Sequence, residues 1–410
     1  MTAKQAETFE LGEAIEKGPV ELTIVLPALN EEVNIGECLD WCFEGFRKAE
    51  VVGEVLIVDS STDRTAEIAL SKGARVIRTP KRGLGQAYIE AMPFIRGRYV
   101  LMGDCDCTYD FRELKGFLEK LRAGHKFVMG SRFKGSIERG AMPLHHQYFG
   151  TPITTWILNL IFSSHFSDIH CGMRGITIEA LKRMNLVSGS WEYASEMVVK
   201  SVHMELGLAE VPVHFYKDRN GRQSHHLRSG WWSPWAAGWI NLKIMFIYGS
   251  NFFLMKPGII FLSLGLMLTL PLAFGPITLG PVTLSIFWML LGLVLSVFGL
   301  QCVFIGILSQ IFFDYNGKRV RKYAFRFQYN RVTGLSVIAF LAGFFMEVVF
   351  LSSYVGNGFA LSLVNRRVLH GAMFGIFLMI MGFMTFAFTL ILNGYLLSQK
   401  SKVHDHGGLP

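Results

Sequence analysis

The sequence predicts an α/β domain with a parallel sheet, followed by four membrane-spanning helices, and three observations lead to that prediction. Buried-strand patterns alternate with helical patterns over roughly the first 230 residues. Four apolar stretches, each long enough to cross a bilayer, follow from about residue 253. Lys and Arg number 30 against 29 Asp and Glu up to Lys256, but 10 against 3 after it. This distribution favours membrane contact and argues against nucleic acid as a partner.

Composition excludes two other classes of protein. With 410 residues, 51% of them hydrophobic, and a mean hydropathy of +0.34, the chain is neither disordered nor a small disulfide scaffold. The six cysteines lack the paired C-x-x-C spacing of a zinc site, so we expect free thiols in a reducing compartment. The first 20 residues contain acidic side chains and no apolar h-region, which argues against a cleaved signal peptide.

The soluble part begins with alternating elements. ELTIVLPAL and VGEVLIVDS read as buried strands on either side of an amphipathic helix, and ARVIRTP and GRYVLMGD read as two further strands, each preceded by a helix. This alternation predicts a parallel sheet that binds ligands at the C-terminal ends of its strands.

Polar side chains collect at three of these strand ends. A single acidic residue there commonly caps the next helix, but acidic groups at three successive ends are stronger evidence for a site. Carboxylates after the first two strands can accept hydrogen bonds from ribose hydroxyls or a base N–H. Asp104 and Asp106 provide hard oxygen ligands for Mg²⁺ or Mn²⁺, which would neutralise a diphosphate. The residues after the first two strands are Pro27, Ala28, Asn30, Glu31, Asp59 and Ser61.

A glycine-containing segment follows the third strand. Lys81 and Arg82 precede Gly83 and Gly85, a pattern that would let the backbone approach a phosphate or simply form a turn. No G-x-G-x-x-G follows the first strand, which argues against a dinucleotide site.

Six segments in this order resemble the family-2 glycosyltransferases with a GT-A (Rossmann-like) fold, and more narrowly the polyprenyl-phosphate sugar synthases of the dolichol-phosphate mannose synthase type. The segments are LPALNEE, VDSSTDRT, KRGLGQA, MGDCD, GSR at 130–132 and SDIHCGMRG, and the resemblance covers roughly residues 20–230. It implies a nucleotide site that includes Lys81 and Gly83 with the strand-end residues named above.

The sequence departs from the family pattern at several positions. Cys105 stands between the two aspartates where Ala is usual, and Thr108 replaces a frequent Gln, which leaves the third metal ligand open. The family's R-x-x-G-x-S-K loop reads RNGRQSH here, so Arg222 and Ser224 are candidates for contact with the acceptor phosphate, and a histidine replaces the lysine. Phosphate contact at that loop would then depend on pH.

The predicted chemistry depends on the acceptor. A divalent ion on Asp104 and Asp106 would stabilise the leaving diphosphate. A sugar hydroxyl acceptor would need a general base, for which Glu196 is the candidate. A lipid phosphate is already ionised near pH 7 and needs cations instead, which Arg132, Lys134 and Arg139 would provide. The alternative for a single surface cation is a solvated charge without a ligand, and it applies to Lys134 first.

The segment YFGTPITTWILNLIFSSHF, residues 148–166, predicts an unusually apolar helix just after these cations. It is either a core helix or one that dips into the lipid surface beside the acceptor site. Asp168 and His170 follow this helix. They could cap a helix, form a hydrogen bond to a ligand-binding residue, or bind a ligand directly.

The C-terminal part predicts four spans, at 255–275, 284–311, 333–355 and 369–396. The loop after the second span is strongly basic, so the positive-inside rule places the soluble domain, this loop and both termini in the cytosol.

A Trp-rich segment at 231–254 reads as a helix lying on the membrane. Glu347, inside the third span, is either a functional carboxyl or a neutral, hydrogen-bonded one. The domains expected are 1–20 (an extension), 21–230 (catalytic), 231–254 (juxtamembrane), 255–397 (transmembrane) and 398–410 (a cytosolic tail).

The resemblance implies a metal-dependent transfer of one sugar from a UDP- or GDP-sugar to a polyprenyl phosphate. Inversion is expected because the sequence offers no buried nucleophile pair for a double displacement. One alternative is a processive polysaccharide synthase, although the nearest match to its Gln-x-x-Arg-Trp motif, Gln328 to Val332, ends in Val and follows the second span. Another is a non-catalytic, nucleotide-sensing membrane protein, for which intact Asp104, Asp106 and Arg132 would be unnecessary. The spans anchor the protein and could also assemble a homo-oligomer.

Overall fold

The computed structural model describes residues 7–9, 19–218 and 233–406. The chain divides into two compact units, Met1–Ile247 and Tyr248–Pro410. The predicted acceptor-phosphate residues Arg222 and Ser224 lie outside the described residues.

The first unit is built on an eight-stranded sheet with the strand order β1-β4-β3-β2-β5-β7-β6-β8. Its strands are β1 (Glu7–Phe9), β2 (Leu22–Ala28), β3 (Gly53–Asp59), β4 (Arg75–Arg78), β5 (Tyr99–Met102), β6 (Phe127–Ile137), β7 (Arg174–Thr177) and β8 (Leu208–Phe215). Strands β2 to β5 pair in parallel, as predicted, and their central residues are fully buried because helices cover both faces.

The sheet as a whole is mixed rather than parallel. β7 pairs antiparallel with both β5 and β6, and Arg174 at the start of β7 lies opposite Met102 and Met129. The chain therefore leaves the sheet after β6 and re-enters it at the same edge, so that residues 138–173 lie at the C-terminal edge of the parallel strands.

Seven helices accompany this sheet in the part of the chain that the structure describes. They are α1 (Ile35–Lys48), α2 (Thr65–Ser71), α3 (Leu84–Ala91), α4 (Lys115–Arg122), α5 (Thr151–Phe162), α6 (Ile178–Met184) and α7 (Tyr193–His203). Short 3₁₀ turns occupy Met92–Phe94 and Phe111–Glu113, and a π turn, His146–Gly150, leads into α5. The helices predicted from the alternating pattern are confirmed, and α5 is the apolar helix predicted in residues 148–166.

A helix, α8 (Ser233–Tyr248), precedes the spans, and a π turn, Asn251–Met255, begins the first of them. The remaining elements are α9 (Lys256–Leu272), β9 (Ile277–Leu279), β10 (Val282–Leu284), α10 (Ile286–Phe312), α11 (Lys318–Arg326), α12 (Tyr329–Gly356), a 3₁₀ turn (Leu361–Leu363) and α13 (Arg366–His406). Four helical segments are long and apolar enough to span a membrane: Asn251–Leu272, Ile286–Phe312, Tyr329–Gly356 and Arg366–Ser398. The four predicted spans are thereby confirmed, and the turn predicted between the first two is the β9–β10 hairpin.

Small residues bring the spans together in two hairpins. Gly265 of α9 lies against Ser296 of α10, and Gly343 of α12 lies against Gly375 of α13; a side chain at any of these glycines would overlap the opposite helix. Without a hydrophobic driving force in lipid, such close approach is what stabilises helix pairs. Glu347 points at the Gly375 position, so this carboxyl faces a neighbouring helix.

Candidate active site

The loops after β2 and β3 are joined by side-chain to backbone hydrogen bonds. Asn30, whose φ of 56° is left-handed, donates its N–H to the Ser61 hydroxyl over 2.8 Å and accepts the Thr62 N–H at its Oδ1 over 2.9 Å. The Glu31 N–H donates to the Thr65 hydroxyl over 2.9 Å. The strand ends predicted to bind a nucleotide therefore form one rigid edge, because each loop satisfies the polar groups of the other.

Asp59, the last residue of β3, is almost fully buried at this edge. It accepts the Ser61 N–H over 3.2 Å, and its Oδ2 lies 3.4 Å from Nε of Arg78 at the end of β4. Burial raises the pKa of this carboxyl, with the Ser61 bonds and Arg78 acting in the opposite direction. The oxygens of this buried carboxylate can accept further hydrogen bonds, so it is suited to bind an N–H or hydroxyl group of a ligand.

The Asp104–Asp106 segment begins two residues after β5 and is fastened on both sides. The Cys105 thiol donates to the Pro27 carbonyl oxygen over 3.1 Å, which ties the segment to the end of β2. Asp106 accepts the N–H of Thr108 over 3.0 Å and its hydroxyl over 2.6 Å, both at Oδ1. Thr108, which stands where the family often has Gln, thus holds the second aspartate in place.

The Asp104 carboxylate lies against the loop that precedes β7. A Cβ at Gly172 would come within 2.8 Å of Asp104 Oδ2, and the Gly172 N–H donates to the Tyr109 hydroxyl oxygen over 2.8 Å. A side chain at position 172 would therefore have to displace this carboxylate.

Among the described residues, no group of three or more His, Cys, Asp or Glu side chains is arranged to hold a metal ion. The two aspartates supply hard oxygen atoms at the strand edge. This donor set fits Mg²⁺ or Mn²⁺, since Mg²⁺ commonly takes one or two carboxylates from the protein and completes its shell with substrate phosphates and water.

Arg132 does not have the free guanidinium that the acceptor prediction required. Its Nε and Nη2 donate to the two carboxylate oxygens of Asp168 over 2.7 and 2.9 Å, and its backbone N–H reaches Asp168 over 3.2 Å. Both side chains are buried, and the guanidinium lies 5.2 Å from the ring centroid of Phe215. The bidentate fork expected for a phosphate is used by Asp168, because burial of the arginine demands a carboxylate partner.

The other two predicted cations of this cluster are exposed. Lys134 pairs with Glu210, its Nζ lying 2.6 Å from Oε2, and more than half of the lysine side chain is exposed. Arg139, just beyond β6, is exposed at the edge where residues 138–173 lie.

Gly83 and Gly85 touch a second loop, residues 185–192, between α6 and α7. Gly83 has a φ of 117°, and a side chain there would overlap the Gly189 carbonyl, as one at Gly85 would overlap that of Ser188. The Gln86 N–H donates to the Gly189 carbonyl oxygen over 2.9 Å. The glycines are thus required by a closely packed loop, and Lys81 before them is exposed.

Glu196 lies inside α7 and is fully buried. Its carboxylate accepts the N–H groups of Val187 and Ser188 over 3.2 and 2.9 Å, and Nζ of Lys200 lies 2.6 Å from its Oε1. Both oxygens are engaged within the protein. A general base must be free to receive a proton from the acceptor, and Glu196 is not free in this way.

Two contacts near the candidate site were not predicted from the sequence. Lys200 stands four residues after Glu196, a spacing that signals a helical ion pair, but the loop held by that pair has no sequence signature. Tyr88 of α3 stacks on Tyr193 of α7 at 4.9 Å and donates its hydroxyl to the Gly103 carbonyl oxygen over 3.0 Å, next to Asp104. Nothing local to either tyrosine predicts that pairing.

Comparison with known proteins gives matches in both parts of the chain. Residues 23–184 match the family described as Glycosyl transferase family 2, and residues 307–394 match the family described as Glycosyltransferase family 2 C-terminal transmembrane region.

Haloferax volcanii has relatives of this chain. The low-salt glycan biosynthesis hexosyltransferase Agl6 is 36% identical over 294 residues, which are 72% of this chain and 69% of the relative. A dolichyl-phosphate hexose transferase is 31% identical over 202 residues, 49% of this chain and 85% of the relative. Among solved structures, mannosyl-3-phosphoglycerate synthase from Rubrobacter xylanophilus aligns with a TM-score of 0.44 at 20% identity, over 55% of this chain and 72% of that one.

Proposed function

The chain belongs to glycosyltransferase family 2, with a GT-A catalytic domain and a membrane-spanning C-terminal region, and from this premise we propose a specific reaction. The protein transfers one sugar from a nucleotide diphosphate sugar to a polyprenyl phosphate, with inversion at the anomeric carbon. The product is a polyprenyl-phosphate sugar that stays in the membrane.

The observation that carries this proposal is an apolar stripe on α5 and the turn before it. Phe149, Ile153, Trp156 and Leu160 recur at helical spacing, and between 46% and 66% of each residue is exposed. A soluble enzyme with a water-soluble acceptor has no use for such a surface beside its site, whereas an enzyme with a lipid acceptor must approach the bilayer.

The stripe is linked to the metal aspartates by a short series of contacts. Thr154 of α5 is hydrogen-bonded to Nε2 of His170 over 2.9 Å, and Gly172, two residues further on, lies against Asp104. A lipid lying along α5 would therefore present its phosphate near the position where the sugar is released. Exposed Arg139 and Lys134 at the same edge supply cations for that phosphate.

The nucleotide would occupy the edge formed by the ends of β2, β3 and β5. Asp59 and Glu31 face the base and ribose, with Pro27, Ala28, Asn30 and Ser61 forming the wall. Lys81 and the Gly83 turn meet the diphosphate. Asp104 and Asp106 would hold Mg²⁺ or Mn²⁺, which when bound supplies positive charge to the leaving diphosphate.

In the reaction the bond between the anomeric carbon and the nucleotide diphosphate oxygen breaks, and a bond to an oxygen of the acceptor phosphate forms on the opposite face. A phosphate monoester is largely ionised near pH 7, so no proton has to be removed. The engagement of both Glu196 oxygens within the protein supports this acceptor, because a hydroxyl acceptor would need a free base.

The orientation in the membrane follows from charge. Helix α11 connects the second and third spans and carries Arg319, Arg321 and Lys322. The positive-inside rule places that helix on the cytosolic side with the catalytic unit and both termini. Arg366 and Arg367 would then lie on the outer side.

A lipid-transfer assay tests the proposal. Membranes containing the protein receive radiolabelled UDP- and GDP-sugars and a short polyprenyl phosphate, with and without EDTA. Label in the organic phase that disappears with EDTA is the expected result. A water-soluble polymer would instead indicate a processive synthase, and nucleotide binding without any product would indicate a sensor; either outcome overturns the proposal.

A further inference from the structure

A buried ion pair holds the loop that covers the Gly83 turn. Glu196 and Lys200 stand one helical turn apart in α7, with Nζ 2.6 Å from Oε1, and both side chains are almost completely buried. A buried pair costs desolvation energy, and apolar residues of similar size often stabilise a core as well, so the pair is weak evidence for stability alone. Its bonds to a neighbouring loop point to a further use.

Both members of the pair also form hydrogen bonds with one backbone segment. Glu196 accepts the N–H groups of Val187 and Ser188, and Lys200 donates to the carbonyl oxygens of Met184 and Asn185 over 3.0 and 2.9 Å. Burial alone would raise the pKa of Glu196, but the bonds from Lys200 and Ser188 outweigh it and the net pKa is lowered. The carboxylate is therefore ionised, as these contacts require.

The far side of the same segment contacts the glycine turn. The carbonyl oxygens of Ser188 and Gly189 occupy the space in which side chains at Gly85 and Gly83 would lie, and the Gly189 oxygen also accepts the Gln86 N–H. The pair, the 185–192 loop and the turn thus form one continuous series of contacts.

We propose that Glu196 and Lys200 are positioning residues, whose ion pair sets residues 185–192 against the Gly83–Gly85 turn and thereby presets that turn for the nucleotide diphosphate. The assignment of the turn to the diphosphate rests on the proposed function. The role of the pair in ordering the loop does not.

Hydrogen exchange on the full-length protein tests the ordering directly. In the Glu196→Gln variant, peptides covering residues 185–190 should exchange their amides at least about tenfold faster than in the unaltered protein, because the carboxylate no longer holds two N–H groups. Glu44→Gln is the matched control, since Glu44 forms an equivalent pair with Lys48 on an exposed face of α1. Unchanged exchange at 185–190 would overturn the proposal.

Nucleotide binding and kinetics test the consequence. With UDP and Mn²⁺, or GDP and Mn²⁺ where UDP does not bind, Glu196→Gln should raise Kd and KM on the order of tenfold and change kcat by less than about threefold. A fall in kcat with Kd and KM unchanged would identify a general base and overturn the positioning role. A wild-type protein that binds nucleotide but forms no lipid product would contradict the proposed function alone.

A second variant covers the case in which Glu196→Gln fails to fold because the buried ammonium of Lys200 loses its counter-charge. Glu196→Gln with Lys200→Met removes both charges and the penalty of burying one without the other. It should fold, yet show the same fast exchange at 185–190 and the same weak nucleotide binding. A double variant with the exchange and affinity of the unaltered protein would contradict the inference.

Discussion

Arg132 and Asp168 form a buried bidentate pair that joins β6 to the loop before β7. Two N–H groups of the guanidinium reach the two carboxylate oxygens over 2.7 and 2.9 Å, and both residues are almost inaccessible to solvent. The pair fixes the loop that continues to His170 and to Gly172 beside Asp104. The guanidinium fork of Arg132, which was predicted to receive the acceptor phosphate, is occupied by Asp168, and the pair holds the loop beside the aspartates that are predicted to bind a metal.

Breaking this pair should destabilise the protein strongly. Asp168→Asn leaves a buried guanidinium without its counter-charge, and we expect a loss of about 3–5 kcal/mol in the free energy of unfolding. Urea titration of the detergent-solubilised protein measures it. The control is Lys72→Ala, which removes an exposed ion pair with Asp40 and should cost less than about 1 kcal/mol. Equal losses for the two variants would contradict the structural role.

Removal of the Thr108 hydroxyl should weaken metal binding without abolishing it. Thr108→Ala frees the Asp106 carboxylate from its 2.6 Å hydrogen bond, and loss of such a supporting contact typically costs about 10–100-fold in metal affinity or activity. The Mn²⁺ concentration for half-maximal transfer should rise accordingly. Thr108→Ser keeps the hydroxyl and should resemble the unaltered protein, whereas Asp106→Ala should abolish turnover. A Thr108→Ala protein with unchanged Mn²⁺ dependence would show that the bond has no such role.

The sequence predicted the strand ends well because the alternation of buried strands and helices is a local pattern. Asp59 and Asp104 are where that pattern places them, at or just after the ends of β3 and β5. The partner of Arg132 and the loop that Glu196 holds could not be predicted in the same way. Asp168 is 36 residues from Arg132, and the segment around it has neither strand nor helix periodicity. Tertiary packing alone decides which carboxylate binds the guanidinium. The antiparallel β7 was missed because strand direction depends on where the preceding helix runs.

Acid should destabilise the catalytic unit through His170. Burial lowers the pKa of this imidazole to about 4, an effect that neighbouring Asp168 opposes and Arg132 reinforces. The unfolded chain, with an ordinary histidine pKa near 6.5, then binds more protons than the folded one, so stability is complete above about pH 6.5 and is lost as pH falls towards 4. Between pH 7 and pH 5 this amounts to about 2 kcal/mol.

The His170→Gln variant isolates this contribution from that of the carboxylates. Its amide can replace the bond to Thr154 and does not titrate. The difference in unfolding free energy between the variant and the unaltered protein should therefore shift by about 2 kcal/mol in favour of the variant when pH is lowered from 7 to 5. A pH-independent difference would show that the folded protein does not hold His170 neutral.

The apolar stripe on α5 should matter for a lipid acceptor and for nothing else in the reaction. Trp156→Ser with Phe149→Ser removes two rings that are 63% and 66% exposed, so the fold loses little. Each buried aromatic ring is worth roughly 1.5–3 kcal/mol on transfer from water, and the double variant should raise KM for a long-chain polyprenyl phosphate by at least about tenfold. KM for the nucleotide sugar should stay the same.

The control is Val52→Ser, which changes an exposed apolar residue just before β3 at the opposite edge of the sheet. If the double variant used the long-chain acceptor as well as this control does, α5 would not be the surface that meets the lipid, and the acceptor would have to approach the aspartates from another side.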